Sequence, residues 1–317
     1  MTGASRIVVV GDVVTDVLAV LAGPLVTGSD TRADIRLTGG GQAANTAAWL
    51  ARLGAPVTLV GAVGDDVAGR VRVAELAAAG VHCAVHRVAA AVTGTVIVLA
   101  GDGERTMISE RGANLRLTGA HVEAAVAGAP DATHLHLSAY TLLDAGSRDA
   151  GLRALAVARG RGLTTSVDAA SAAPLRQVGP AAFLDWVRDV DLLVANADEA
   201  EVLADGPDPV DRARRLAGGV RHAVVKRGPE GAVWADPDGA VTVAPGRSGT
   251  VVDVTGAGDA FAAGLLAAWT AGADPRAALD RAGELGATAV ALVGARPPTG
   301  RGAAGAAPVA WPAGPHA

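Results

Sequence analysis

Residues 251–269 read VVDVTGAGDAFAAGLLAAW. Asp253, Gly256, Gly258 and Asp259 are packed into seven residues, just ahead of a run in which Phe261, Leu265, Leu266, Ala268 and Trp269 recur at helical spacing. That spacing predicts a helix beginning near Gly258. The backbone N–H groups of Gly256, Ala257 and Gly258 then sit at a helix N-terminus, where they have few intrahelical partners and the dipole favours negative charge. Glycine at 256 and 258 also lets a ligand come close to the main chain. Asp259, in the first turn, stays ionised and can accept a proton from a hydroxyl. A weak base suffices beside a transferring phosphoryl group, because in a loose transition state the proton leaves late. A lone Gly-x-Gly would be read as a turn and a first-turn aspartate as a cap. Here a second acid, Asp253, and a helix of small residues flank the TGAGD run, and the cluster reads as chemistry.

Outward from this stretch, apolar β-branched runs (RIVVVG, VTLVGAVG, THLHLS, LTTSVD, VDLLVAN, HAVVKRG) alternate with helical ones such as QAANTAAWLARLG, VAGRVRVAELAAAG and DAGSRDAGLRALAVARG. Alternation of this kind indicates a mostly parallel sheet with helices on both faces, an α/β fold. Strands that are apolar throughout are those covered on both sides. Two segments, DTRADIRLT at 30–38 and TGTVIVLAGDGERTMISER at 93–111, alternate apolar and polar residues instead, and the second carries a Gly-Asp-Gly turn. They suit a small antiparallel β lid, with edge strands of the main sheet as the alternative. The expected division is a main α/β domain over 1–16, 39–87 and 118–294, and a lid over 17–38 and 88–117. The stretch 295–317 is a Pro/Gly/Ala-rich tail, read as loose because it has no periodicity.

Composition narrows the function classes. Half of the 317 residues are hydrophobic, 19% are charged and the net charge is -5, so a large core is expected and nucleic acid is not the main partner. The apolar stretch near the N-terminus is interrupted by Asp12 and Asp16, which excludes a membrane span there. One cysteine, Cys83, rules out an intrachain disulfide and points to a reducing, cytoplasmic setting. The one lysine, Lys226, follows Val225 rather than a glycine, so a GxxxxGK[ST] phosphate loop is absent. Gly39-x-Gly41-x-x-Ala44 fits a loose dinucleotide fingerprint and would suggest an NAD-dependent Rossmann dehydrogenase. The strand before it alternates rather than being buried, and RIVVVGD, the first apolar strand, lacks the fingerprint.

With GGGQAANTAAWLARLGAPVTLVGAVGDDVAGR and DVTGAGDAFAAGLLAAW both in view, the chain resembles the PfkB family of carbohydrate kinases, with its ribokinase-like fold, from RIVVVGDVVTD to about Val293. The resemblance implies ATP-dependent phosphorylation of a sugar hydroxyl, Asp259 being the catalytic base and Gly256, Ala257 and Gly258 the anion hole. It implies sugar contacts at Asp16, Gly40, Gly41 and Asn45, with Asp12 a neighbour. Asn196 and Glu199 in VANADEAE match an N-x-x-E element that acts near Mg2+ and the phosphates, Glu199 through water. Lys226 and Gly228 line the nucleotide site by the same resemblance, and Asp253 matches a residue that helps hold a monovalent cation, K+, in some members. Read without the family, Glu199 is a solvated acid at a helix start and Lys226 a solvated strand end.

The acceptor is less defined. Ribose-specific members carry lysine where this chain has Gln42 and glutamate about where it has Ser138, which argues against ribose. The lid segments contain no Phe, Tyr or Trp, whereas a nucleoside kinase of the adenosine or pseudouridine type wants an aromatic face for the base. Arg105 and Arg111 offer forks for a carboxylate or phosphate, which keeps a sugar acid in view beside a neutral sugar; exposed lid arginines are the plainer explanation. A non-catalytic sugar- or nucleotide-binding protein is a further alternative, opposed by the complete TGAGD cluster. The alternating lid strands also allow a homodimer through the lid.

Overall fold

The computed structural model describes residues 6–101 and 104–298, apart from the side chains of Glu104 and Arg105. In chain order its strands are β1 (Arg6–Val10), β2 (Val14–Leu21), β3 (Ala33–Gly40), β4 (Val57–Gly64), β5 (His82–Val88), β6 (Gly94–Gly101) and β7 (Glu104–Glu110). They continue with β8 (Ala132–Ser138), β9 (Thr164–Asp168), β10 (Leu192–Asn196), β11 (His222–Lys226), β12 (Ala232–Ala235) and β13 (Val241–Ala244). Nine of these form one sheet in the order β13-β12-β11-β10-β9-β8-β1-β4-β5, and the other four a second in the order β3-β2-β6-β7.

From β11 to β5 every neighbouring pair in the large sheet is parallel; β12 and β13 add an antiparallel edge. Alternate residues of each strand enter opposite cores. Val8 and Val10 pack with Leu135, Leu137 and Phe183 on one side, whereas Ile7 and Val9 pack with Trp49, Leu265 and Leu285 on the other. Both faces are therefore dry, which is the physical reason for the unbroken apolar strands.

The strand order reverses at β1, which has β4 on one side and β8 on the other. In an open parallel sheet such a reversal leaves a crevice outside the carboxyl ends of the strands, where ligands bind. Asp12 follows β1, and Ser138, Asp168, Asn196 and Lys226 are the last residues of β8, β9, β10 and β11. Polar residues far apart in sequence thus arrive at one rim.

The second sheet overlies that rim. β2 with β3, and β6 with β7, are antiparallel hairpins, and the hairpins meet through the parallel pair β2–β6. Both hairpins leave the same end of the large sheet, after β1 and after β5, so their first strands run the same way. The four strands form their own sheet and are not edges of the large one. They occupy the segments expected for the lid and extend beyond 17–38 to Val14 and Gly40. Asp102 and Gly103 of the expected turn, and the side chain of Arg105, lie outside the described residues.

The expectation of a loose stretch from residue 295 is corrected at its start. Ala295 is 3% exposed, and its carbonyl accepts a hydrogen bond from Trp49 Nε1 at 3.0 Å. A buried indole N–H needs an acceptor, and this need fixes the chain here despite its composition. Residues 299–317 lie outside the described residues.

Candidate active site

The helix Ala257–Thr270 starts one residue earlier than its spacing predicts, with Gly256 in the left-handed conformation at φ 74° as its N-cap. Its first intrahelical bond runs from Ala260 N–H to the Gly256 carbonyl, 2.9 Å, so the preceding N–H groups face outward from the helix start. Of these, Ala257 N–H makes a long 3.3 Å contact to the Val254 carbonyl. A side chain at Gly256 would stand 2.5 Å from the Ala295 backbone, which ties the turn to the C-terminal segment.

Asp259 projects from the first turn of this helix. Its Oδ2 accepts from Asn45 Nδ2 at 2.8 Å. Burial raises its pKa to about 7; Asn45 and Lys226 act against the rise, and Asp168 and Asp12 add to it. A carboxylate with a pKa near the working pH is well matched to accepting a proton from an alcohol.

Asn45 is presented by the helix Gln42–Arg52, whose N-cap Gly41 has φ 99°. With no side chain at Gly41 to cap it, the helix start is held by Asp12, whose carboxylate accepts from Gln42 N–H at 3.2 Å and Ala43 N–H at 3.3 Å. Asp16 rises from β2 over the glycine turn: a Cβ at Gly40 would lie 2.2 Å from its Oδ1. Burial raises Asp16 to about 6, with Arg296 the main opposing influence. Asp12, Asp16, Gly40, Gly41, Asn45 and Asp259 are thus gathered on one side of the crevice.

The other side is organised by Asp168, which sequence reasoning passed over. Its Oδ2 accepts from Lys226 Nζ at 2.8 Å and its Oδ1 from Gln42 Nε2 at 2.9 Å, while Ser138 Oγ donates to Gln42 Oε1 at 2.5 Å. The two departures from the ribose-specific pattern, Gln42 and Ser138, are therefore partners in one hydrogen-bonded unit. Lys226 comes within 3.5 Å of where a Cβ on Gly258 would stand, so its ammonium group faces the helix start. Burial opposes that charge, but Asp168 and Glu199 outweigh it and leave the lysine pKa raised. Below Asp168, His136 Nδ1 and His134 Nε2 lie 2.7 and 2.8 Å from Ser166 Oγ; burial lowers these histidines to about 4 and about 3, so both are neutral at physiological pH.

Asn196 and Glu199 form a reciprocal capping box: Glu199 accepts from Asn196 N–H at 2.7 Å and from Asn196 Nδ2 at 2.8 Å, and Glu199 N–H donates to Asn196 Oδ1 at 2.8 Å. Glu199 is 2% exposed, and burial raises its pKa to about 7 despite Lys226. Both its oxygens are committed within the chain, a donor set that fits contact with magnesium through water rather than direct ligation. Among the described residues no group of three or more His, Cys, Asp or Glu could hold a metal ion. Magnesium carried in by phosphates and keeping its waters needs no such cage.

The remaining candidates sit at the periphery. Arg111 stacks on the Tyr140 ring, 4.3 Å from its centroid, and its charge faces Asp144 at 3.2 Å and Asp12 at 3.6 Å. Gly228, at φ 57°, opens an exposed turn two residues past Lys226. Asp253 accepts from Thr255 N–H at 2.8 Å and from Gly294 N–H at 3.0 Å, joining the start of the TGAGD turn to the C-terminal segment. Arg296, within the supposed tail, reaches Asn45 Oδ1 at 3.0 Å.

The chain as a whole is similar to known proteins. The pfkB family carbohydrate kinase profile matches residues 4–300. The chain is 32% identical to the ATP-dependent ribose-1-phosphate kinase of Halopiger xanaduensis over 82% of its own length and 83% of the relative's. It is 31% identical to fructokinase-1 of Oryza sativa subsp. japonica over 84% of each chain. Its fold superposes on the crystal structure of adenosine kinase from Sinorhizobium meliloti with a TM-score of 0.83 at 24% identity, covering 93% of this chain and 96% of that one. The profile spans nearly the whole chain, which belongs to the pfkB family of carbohydrate kinases.

Proposed function

We propose that this ATP-dependent sugar kinase transfers the γ-phosphate to a hydroxyl of a small sugar or sugar acid, with Asp259 as the base. The observation that carries the reading is the Asp259 carboxylate, raised to about 7 and held by Asn45 at 2.8 Å, on the helix whose start exposes the N–H groups of Gly256 and Gly258. The acceptor hydroxyl gives its proton to Asp259 while its oxygen bonds to phosphorus and the bond to ADP breaks. Charge on the phosphoryl oxygens is met by the helix-start N–H groups, including that of Ala257, and by Lys226. Asp16, Gly40, Gly41 and Asn45 hold the other sugar hydroxyls, with Asp12 and Arg111 shaping the wall beside them. Asn196, Lys226 and Gly228 line the nucleotide side. Bound Mg2+ would neutralise phosphate charge, with Glu199 meeting its water; a monovalent cation, K+, belongs near Asp253, whose side chain spans the two segments that border the turn.

The relatives are named for a phosphorylated sugar and a neutral one, so the acceptor is decided by assay. ATP consumption is followed over a panel of neutral sugars, sugar acids, ribose 1-phosphate and adenosine. Turnover confined to adenosine would favour a nucleoside kinase, and absence of turnover on every member a binding protein. Against a nucleoside, the Tyr140 ring already carries the Arg111 guanidinium, 4.3 Å from its centroid.

A homodimer through the lid is part of this reading. Leu37, Val17, Ile97 and Ile108 stand side by side across the four lid strands, and Leu37, Ile97 and Ile108 are 69%, 37% and 54% exposed. A row of exposed apolar side chains across a sheet is a surface for a second copy. Sedimentation of the parent and of Leu37→Glu tests this, a monomeric parent being the adverse result. The place of action is taken as the cytoplasm, where ATP is supplied; among the described residues no helix is long and apolar enough to cross a membrane.

A further inference from the structure

Arg296 links the C-terminal segment to the base through a single amide. Its Nε donates to Asn45 Oδ1 at 3.0 Å and its Nη2 to the Gly40 carbonyl at 2.7 Å, while Asn45 Nδ2 donates to Asp259 Oδ2 at 2.8 Å. A carboxamide has one accepting and one donating end. Fixing its oxygen with a guanidinium leaves its nitrogen facing the carboxylate. The Arg296 side chain is 13% exposed, with Glu75 Oε2 3.8 Å from Nη1. Burial lowers its pKa to about 10, still well above neutrality, so the group stays charged. The backbone beside it is anchored independently, by the Trp49 bond to the Ala295 carbonyl and by the close packing of Gly256 on Ala295.

We propose that Arg296 is a positioning residue for phosphoryl transfer, locking the Asn45 amide so that its N–H faces Asp259 and pinning the Gly40 carbonyl beside the acceptor. This rests on Asp259 acting as the base. Without the guanidinium the amide can turn over and present oxygen to oxygen, which displaces the carboxylate or favours its protonation. The other charged or titratable groups that face Asp259 are Asp12 after β1, Tyr140 after β8, Asp168 at the end of β9 and Lys226 at the end of β11, all retained on substitution at 296; Asp16, whose rise Arg296 opposes, moves in the same direction as Asp259.

The test is a double-mutant cycle on turnover with the panel's best acceptor, using Arg296→Gln, Asn45→Ala and the pair. Arg296→Gln is expected to lower kcat about 10- to 100-fold, the scale of a small misplacement of a reacting group. KM for ATP should stay within about threefold, as uniform binding is not removed. In the Asn45→Ala background the same substitution should cost no more than about twofold, because the two residues act as one unit. The acid limb of kcat/KM should move to higher pH in Arg296→Gln. Arg296→Lys keeps the charge without the fork and should recover part of the loss; it carries the cycle if the glutamine variant melts early. Parent-like kcat in Arg296→Gln, or losses that multiply in the double variant, would overturn the proposal. Substantial turnover in Asp259→Asn would instead remove the base assignment, leaving any Arg296–Asn45 coupling still visible in the cycle.

Discussion

Gly256 and Gly258 are two residues apart, yet alanine at each should do different things. At Gly256 the backbone has φ 74°, and a Cβ would stand 2.5 Å from both Cα and the carbonyl oxygen of Ala295. The left-handed conformation costs a non-glycine residue about 1–2 kcal/mol, and forcing a methyl into a packed backbone contact about 1–3 kcal/mol more. Gly256→Ala should therefore lose roughly 2–5 kcal/mol and shift Ala295, and Arg296 with it. At Gly258 the nearest atom to an added Cβ is Lys226 Nζ at 3.5 Å, an ordinary contact, and the residue lies in helix. Gly258→Ala should leave stability unchanged or raise it by up to about 1 kcal/mol through helix propensity. Its methyl nevertheless enters the space between Lys226 and the helix start, so turnover should fall by about tenfold or more. Urea unfolding and steady-state turnover on both variants separate the two effects. Parent-like stability in Gly256→Ala, or full turnover in Gly258→Ala, would refute the reasoning.

Two further outcomes follow from the charges. With Asp259 raised to about 7 and active only when ionised, kcat/KM should fall as pH drops through about 7, by about tenfold per pH unit; a profile flat down to about pH 5 would exclude this carboxylate as the titrating base. Lys226→Met leaves Asp168, 1% exposed, without its cationic partner, so unfolding should show a loss of about 3–5 kcal/mol together with weaker ATP binding, and a change under about 1 kcal/mol would deny the pair its role.

The parallel sheet was legible because double burial writes itself as apolar strands, and all six expected strand runs contain strands of the large sheet. The hairpin β12–β13 was not, since its four-residue strands carry too few alternations to stand out. Asp259, Asn45 and the glycines were visible through local motifs. Asp168 is one acid at the end of an apolar strand; its meaning comes only when the sheet order brings β9 beside β10 and Lys226 within 2.8 Å. Arg296 was obscured by its setting, because a Pro/Gly/Ala-rich stretch lacks periodicity whether or not one of its side chains is bound elsewhere. A signal was present in GAR: a cation following the last helix, 251 residues from the asparagine it holds. Sequence distance gives no local pattern for such a contact.

The central claim is that Asp259 takes the acceptor's proton. Asp259→Asn keeps the shape and the capacity to accept from Asn45 but not the basicity. Single-turnover phosphoryl transfer to the panel's best acceptor, measured beside ATP affinity, should fall about 10²- to 10⁴-fold with ATP affinity essentially unchanged. Transfer within about tenfold of the parent would contradict the assignment.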